Sequence, residues 1–198
     1  MITKLSIDSN PSMDPSGMLR FQECILNAKC FLEFGCGGST ALAIRSGIKE
    51  IISVDSSKEW LQAVRSLSKG RTVGFYPVLA NIGPTKSWGY PLNAKKYSEW
   101  HKYAVSTWSI IQSNNLRPDL ILIDGRFRVF TFLYSLLYAE TGTTILFDDY
   151  GGRPAYHVVE KFLPRVNLFG RMAEFKVVEK FDAHVLLPAI LKYSAVAA

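Results

Sequence analysis

The chain lacks most of what marks a specialised composition. It has no internal repeat and no low-complexity tract, and its nine prolines and fourteen glycines are ordinary numbers for 198 residues. That excludes fibrous and disordered architectures. Cysteine is sparse. Cys24, Cys30 and Cys36 sit six residues apart, no Cys-x-x-Cys occurs, and no Cys/His spacing suits zinc. A small odd count points to a reducing compartment. Long hydrophobic runs are missing as well. The longest mostly apolar stretch, Val129 to Ala139, is too short to span a bilayer, and the polar start, Met1 to Met13, has no apolar signal segment. The expectation is a cytoplasmic protein with no membrane partner. A basic block is also absent. The net charge of +6 is spread evenly, with twelve Lys/Arg against eight Asp/Glu in residues 1–99 and eleven against nine in residues 100–198. Such a surface gives no case for nucleic acid and leaves an anionic small substrate as the functional reading of the charge.

What the chain does have is 48% hydrophobic and 20% charged residues. A chain of this length removes roughly 70% of its unfolded surface from water, enough for one domain with a real core. Asn10-Pro11, Asp14-Pro15 and Gly17 are turn signals, so residues 1–17 read as an irregular arm and 18–198 as a single domain. Short apolar runs predict strands at Cys30–Phe34, Glu50–Asp55, Thr72–Leu79, Leu120–Ile123 and Thr144–Phe147, with two last strands at Phe175–Phe181 and His184–Leu187. Helical spacing predicts helices between them: about 18–28, Ser39–Ser46, a helix opened by a Ser56/Glu59 capping box, Lys95–Asn114, one through Val129, Phe132, Leu133 and Leu136, and Pro154–Leu163. Alternating strands and helices, with strands apolar throughout, predict an α/β fold: a mostly parallel, seven-stranded sheet with helices on both faces.

Ligands of such sheets bind beyond the carboxyl ends of the strands. Glu33, Gly35, Asp55, Asn81, Asp124, Asp148 and Asp149 all fall there. The turn Glu33-Phe34-Gly35-Cys36-Gly37-Gly38-Ser39-Thr40 lets backbone approach a ligand and leaves helix N–H groups free to face it. Asp55, twenty residues after Gly35, can accept hydrogen bonds from both hydroxyls of a ribose. Together they predict a nucleoside-containing cofactor. Thr40 stands where a dinucleotide fingerprint has Gly or Ala, and no Tyr-x-x-x-Lys occurs, which argues against a nicotinamide-dependent oxidoreductase. Asp124, Asp148 and Asp149 would repel one another unless a cation or protons lie between them, and such hard ligands suit Mg²⁺, Mn²⁺ or Ca²⁺. Arg126 could neutralise them instead, or one of the pair at 148–149 could cap the next segment. The loop Asn81–Pro91 is long enough to be functional. Its Trp88 and Tyr90 could stack on a sugar or an aromatic ring, pack the loop down, or form a dimer contact. Arg126, Arg128 and Arg153 suit a carboxylate or phosphate, or ordinary pairing with the aspartates. Of the histidines, His157 is the one that could reach the site.

Acid-x-Gly-x-Gly at 33–37 resembles the first motif of Rossmann-like (class I) S-adenosylmethionine-dependent methyltransferases, and the resemblance covers residues from about 18 to 190. The carboxylates at 124 and 148–149 are similar to those of metal-dependent O-methyltransferases of the catechol and macrocin type. Asp124-Gly125-Arg126-Phe127-Arg128 with Trp88-Gly89-Tyr90-Pro91 looks like a group of bacterial methyltransferase-like proteins of unassigned substrate. The resemblance implies S-adenosylmethionine as cofactor, with Glu33, Gly35 and Gly37 around its methionine part, Asp55 at the ribose, Asn81 and Ile82 flanking the adenine, and Cys36, Thr40, Ser56 and Asp124 also among the cofactor-binding residues. It implies Asp124 as the catalytic residue, Mg²⁺ on Asp124, Asp148 and Asp149, and a small-molecule or saccharide acceptor met by Trp88, Tyr90, Arg126, Arg128, Tyr150 and Arg153. Asp-Gly-Arg replaces the Asp-Gly-Asp usual in the macrocin type, which leaves the metal open. Asn-Pro-Pro-Tyr-like motifs of amine methylation are absent. The alternative function is a non-catalytic binding protein that keeps this fold.

Overall fold

A computed structural model describes Ile7 and residues 10–197. The part of the expected arm at residues 1–6, 8 and 9 lies outside the described residues. Helix α1 spans Pro15–Asn27 and so starts before residue 18. Asp14 sets that start, because its side chain accepts the backbone N–H of Ser16 and Gly17 just before a proline that needs no partner.

Five parallel strands follow: β1 (Cys30–Phe34), β2 (Glu50–Asp55), β3 (Gly74–Leu79), β4 (Leu120–Ile123) and β5 (Thr144–Phe147). The sheet is completed by β6 (Arg165–Phe169) and β7 (Met172–Lys176), in the order β3-β2-β1-β4-β5-β7-β6. Strand β7 runs antiparallel to β5, and β6 antiparallel to β7. The expected strands at 175–181 and 184–187 are therefore corrected to a hairpin turning at Gly170 and Arg171 and to a helix. Gly170 takes φ 58, and the five residues of β6 leave no buried stripe to read because they form an exposed edge. The segment Ala183–Tyr193 is helical because Asp182 caps it and Leu186 and Ile190 bury one face at a spacing of four.

Neighbouring residues of each strand feed opposite layers. Phe31, Ile51, Leu120, Leu122 and Leu146 pack with Phe21 and Ile25 of α1 and with Ala43 and Ile44 of α2 (Gly38–Arg45). Leu32, Ile52, Ile121, Ile123 and Ile145 pack on the other face with α4 (Lys102–Ser113) and α5 (Arg128–Leu136). Helix α3 (Lys58–Ser68) joins β2 to β3. Its cap is Ser57 rather than Ser56: the Ser57 hydroxyl accepts the Trp60 N–H at 3.2 Å and donates to Glu59 at 2.9 Å. The helix expected at 154–163 is a 3-10 helix, Pro154–Lys161.

Strands β1 and β4 lie side by side, and their crossovers leave in opposite directions along the sheet, which opens a crevice at their carboxyl ends. The floor of that crevice is backbone on backbone. A Cβ on Gly35, which takes φ 100, would lie 2.8 Å from the Gly125 Cα, and a Cβ on Gly125 would lie 2.8 Å from the Phe34 carbonyl oxygen. Gly35→Ala should therefore cost about 2–4 kcal/mol and Gly125→Ala about 1–3 kcal/mol in urea unfolding. Gly152→Ala, whose Cβ would meet nothing within 4 Å, should change stability by less than about 0.5 kcal/mol. Equal effects at all three positions would contradict this contact.

Candidate active site

The glycine turn is held from below by Glu33. Its carboxyl is sealed from solvent and accepts the hydroxyls of Ser39 at 2.6 Å and Ser53 at 2.5 Å, and also that of Thr40. Thr40 in turn accepts the Gly37 N–H at 2.9 Å. A chain of hydrogen bonds thus runs from the buried acid to the turn's backbone and fixes how α2 begins. Burial pushes the Glu33 carboxyl up to about 7 against the pull of the three hydroxyls. An acid in this position has no surface for a ligand. Glu33 and Thr40 shape the turn, while Gly35, Cys36 and Gly37 stay partly exposed at its surface.

Asp55 stands beside that turn at the end of β2. Its carboxylate accepts the Cys36 N–H at 3.2 Å and the Ser57 N–H at 2.8 Å, so its direction is fixed while lone pairs remain for further donors. Burial raises its pKa, opposed by those backbone N–H groups. Burial also holds the Cys36 thiol protonated, with Asp55 and Glu33 adding to the effect, so the sulfur is inert. Ser56 and exposed Asn81 continue the same edge. Ile82 does not: its side chain lies in the core and its carbonyl accepts the Trp100 indole N–H at 3.0 Å. Its expected place beside an adenine is corrected accordingly.

Asp124, Asp148 and Asp149 converge as expected, with a carboxylate oxygen from each within 4.8 Å of the others. Three guanidiniums already face them. Arg128 meets Asp124 at 3.1 Å and Asp149 at 3.4 Å, Arg153 meets Asp149 at 3.0 Å, and Arg171 meets Asp149 at 3.1 Å and Asp148 at 3.5 Å. Neither aspartate of the 148–149 pair caps the next segment, and the cations in ion pairs with the cluster are these three, while Arg126 acts on Asp124 only from a distance. A divalent ion would add two positive charges to a balanced set, so the donor set does not fit Mg²⁺. Burial raises Asp124, and its acidic neighbours add to this while Arg128 opposes it; its side chain is still 32% exposed.

Two expected substrate residues have other duties. Arg128 donates to the carbonyls of Gly125 (2.9 Å), Asp124 (3.0 Å) and Asp148 (2.6 Å), tying the ends of β4 and β5 together. Tyr150 is buried, with its hydroxyl on Glu160 at 2.7 Å, and His157 stacks on its ring and bonds its carbonyl. Both side chains are engaged by these bonds, and His157 is held against Tyr150. The loop after β3 forms a strap closed on itself by the Thr85/Pro91 bridge and by Lys86 N–H to Tyr90 carbonyl and Leu92 N–H to Pro84 carbonyl, each 2.8 Å. Trp88 stands 82% exposed at its tip, while Tyr90 stacks on Arg126. On the opposite side, Asn10 and Pro11 cross the first turn of α2 so closely that a Cβ on Gly38 would lie 2.7 Å from the Asn10 carbonyl oxygen. Sequence reasoning missed Arg171, Tyr103, Ser39 and Ser53. Ser53 follows from its register beside Glu33, Arg171 from the hairpin, Tyr103 from the packing of α4, and Ser39 from the first turn of α2.

The Glu33 carboxyl makes a pH signature. The folded state holds this proton up to about 7 and the unfolded chain only to about 4.5. The associated stability is therefore present below about pH 4.5 and lost as pH rises through about 7. Relative to Glu33→Gln, which does not titrate, the native protein should lose on the order of 3 kcal/mol across that window in urea unfolding. Parallel stability curves for the two proteins would contradict a protonated Glu33.

No family model matches the chain, and no curated protein matches it in sequence. Among solved structures, a methyltransferase-like protein from Silicibacter pomeroyi superposes with a TM-score of 0.83 at 29% identity, covering 96% of this chain and 100% of its own. A T. thermophilus 16S rRNA methyltransferase in complex with AdoMet and guanosine gives 0.44 at 9% identity over 81% of this chain and 39% of its own. A putative S-adenosylmethionine-dependent methyltransferase from Listeria monocytogenes gives 0.36 at 12% identity over 92% and 82%. The last two are too distant to add to the argument. The strand order, the glycine turn at the β1/β4 crevice and the first of these likenesses together identify the fold as that of the class I S-adenosylmethionine-dependent methyltransferases.

Proposed function

We propose that the chain is an S-adenosylmethionine-dependent methyltransferase acting on an oxygen of a small molecule, with saccharides the first class to try. The observation that carries the reading is the Gly35–Gly37 turn leading into α2, with Asp55 pinned beside it by two backbone N–H groups. Backbone of Gly35, Cys36 and Gly37 would hold the methionine part of the cofactor, Asp55 and Ser56 the ribose, and Asn81 the adenine edge. When bound, S-adenosylmethionine supplies a sulfonium methyl as the electrophile.

The protein's part is to align an acceptor oxygen and to remove its proton. We assign the proton to Asp124, which is exposed in part and has a raised proton affinity, while Arg128 keeps its carboxylate oriented. Trp88, Tyr90, Arg126 and Arg153 would meet the acceptor. No metal takes part in this account. The pairing of Asp124 with Arg128 favours one rival, a binding protein that keeps the cofactor site without turnover.

Calorimetric titration with S-adenosylhomocysteine should give clear binding that Asp55→Ala weakens by at least about tenfold. Unchanged affinity would remove Asp55 from the site. Mg²⁺ should neither raise the melting temperature of the complex nor add heat to the titration; a clear stabilisation would overturn the charge-balance argument. With an acceptor found among saccharides, Asp124→Asn should lower kcat by about two to four orders of magnitude while binding of S-adenosylhomocysteine persists. Full turnover in that variant would exclude Asp124 as the base. Binding with no turnover on any acceptor would favour the rival.

A further inference from the structure

The charges at the strand ends do not cancel completely. Asp124, Asp148 and Asp149 are matched by Arg128, Arg153 and Arg171, and Arg126 is left over. Its side chain is 7% exposed, and among the described residues no carboxylate forms an ion pair with it. Asp124, whose titration it influences, is committed to Arg128. The Arg126 Nε and Nη1 are sealed from solvent and have no hydrogen-bond partner. A buried cation in that state is unfavourable unless an anion completes it.

Tyr90 compensates only one aspect of this charge. The Arg126 Cζ lies over its ring, 4.1 Å from the centroid. A ring contact does not complete the in-plane N–H groups, and Nε and Nη1 stay without a partner, open to an oxyanion. Arg153 acts electrostatically on the same tyrosine as Arg126, so an anion beside that ring would feel two guanidiniums. The mounting is rigid. Gly125 before it is packed against the Phe34 backbone and the buried Tyr103 hydroxyl. The covering is light by comparison, since the strap is mostly exposed and touches this corner through Gly89 and Tyr90.

We propose that Arg126, with Arg153 beside it, receives an anionic group of the methyl acceptor, a carboxylate or a phosphate, beneath the Tyr90 strap. The inference rests on the methyltransferase reading and narrows the acceptor to molecules that carry an oxyanion. The strap lifts to admit that group and Tyr90 closes over it again. Arg126 is a specificity determinant here and takes no part in proton transfer.

The test is calorimetry on the full chain saturated with S-adenosylhomocysteine, titrated with inorganic phosphate, with D-glucuronate and with neutral glucose. Binding of at least one of the anions, weakened by added salt, with none of glucose, is expected. Phosphate alone or glucuronate alone then tells which anion the acceptor carries. Arg126→Gln should weaken anion binding by roughly tenfold or more while the affinity for S-adenosylhomocysteine, titrated separately, is kept. Arg126→Lys keeps the charge without the planar fork and should recover part of the anion binding that Arg126→Gln loses, so the proposal does not depend on the folding of one variant. An Arg126→Lys variant that binds anions as poorly as Arg126→Gln, while still binding S-adenosylhomocysteine, would count against a charge-based site. Failure of both anions on the saturated protein, or equal binding by native chain and Arg126→Gln, would overturn the anion site and leave the methyltransferase reading intact. Failure of S-adenosylhomocysteine itself to bind would overturn both.

Discussion

Glu33 lies with its carboxyl buried between the sheet and the start of α2, and three hydroxyls converge on it. The arrangement decides where the glycine turn can go. Thr40 passes the constraint to the Gly37 N–H, and the turn then sets Gly35 against Gly125 at the end of β4. Once those two backbones touch, the direction of the residues after β4 follows, including Asp124 and Arg126. A buried polar group is tolerated because every hydroxyl around it has its partner. The same acid that resembles a ligand contact in the sequence thus acts one layer below the ligand surface.

Above that floor the strand ends are governed by charge. Three aspartates at close quarters need compensation, and arginines from three different places supply it: Arg128 from α5, Arg153 ahead of the 3-10 helix and Arg171 from the β6/β7 hairpin. Guanidiniums in place of a metal change what the site can do. They hold the carboxylates without acting as a Lewis acid, and under the proposed function deprotonation would fall to a carboxylate with raised proton affinity. They also leave the corner at Arg126 positive, which favours an oxyanion and disfavours a further cation.

Much of this was legible in the sequence. Strands β1, β2, β4 and β5 fall where the apolar runs put them, because buried parallel strands read as continuous hydrophobic segments. The glycine turn, Asp55 and the three aspartates follow from their positions at strand ends. The end of the chain was misread because β6 is an exposed edge with no buried stripe and Pro188 disguised a helix whose buried face is Leu186 and Ile190. Within the site, residue type marked Arg126 and Arg128 alike, yet one is committed to backbone carbonyls and the other has free donors. That difference depends on packing between distant segments, as does Ser53 on Glu33 across neighbouring strands, and no local spacing encodes it.

The most direct test of the account is a crystal structure of the complex with S-adenosylhomocysteine. The account predicts the ligand in the crevice between β1 and β4, with the ribose hydroxyls on Asp55, the amino-acid part against the Gly35–Gly37 backbone, and Glu33 still sealed beneath. A ligand bound elsewhere, or one that reaches Glu33 directly by opening its hydroxyl partners, would contradict it.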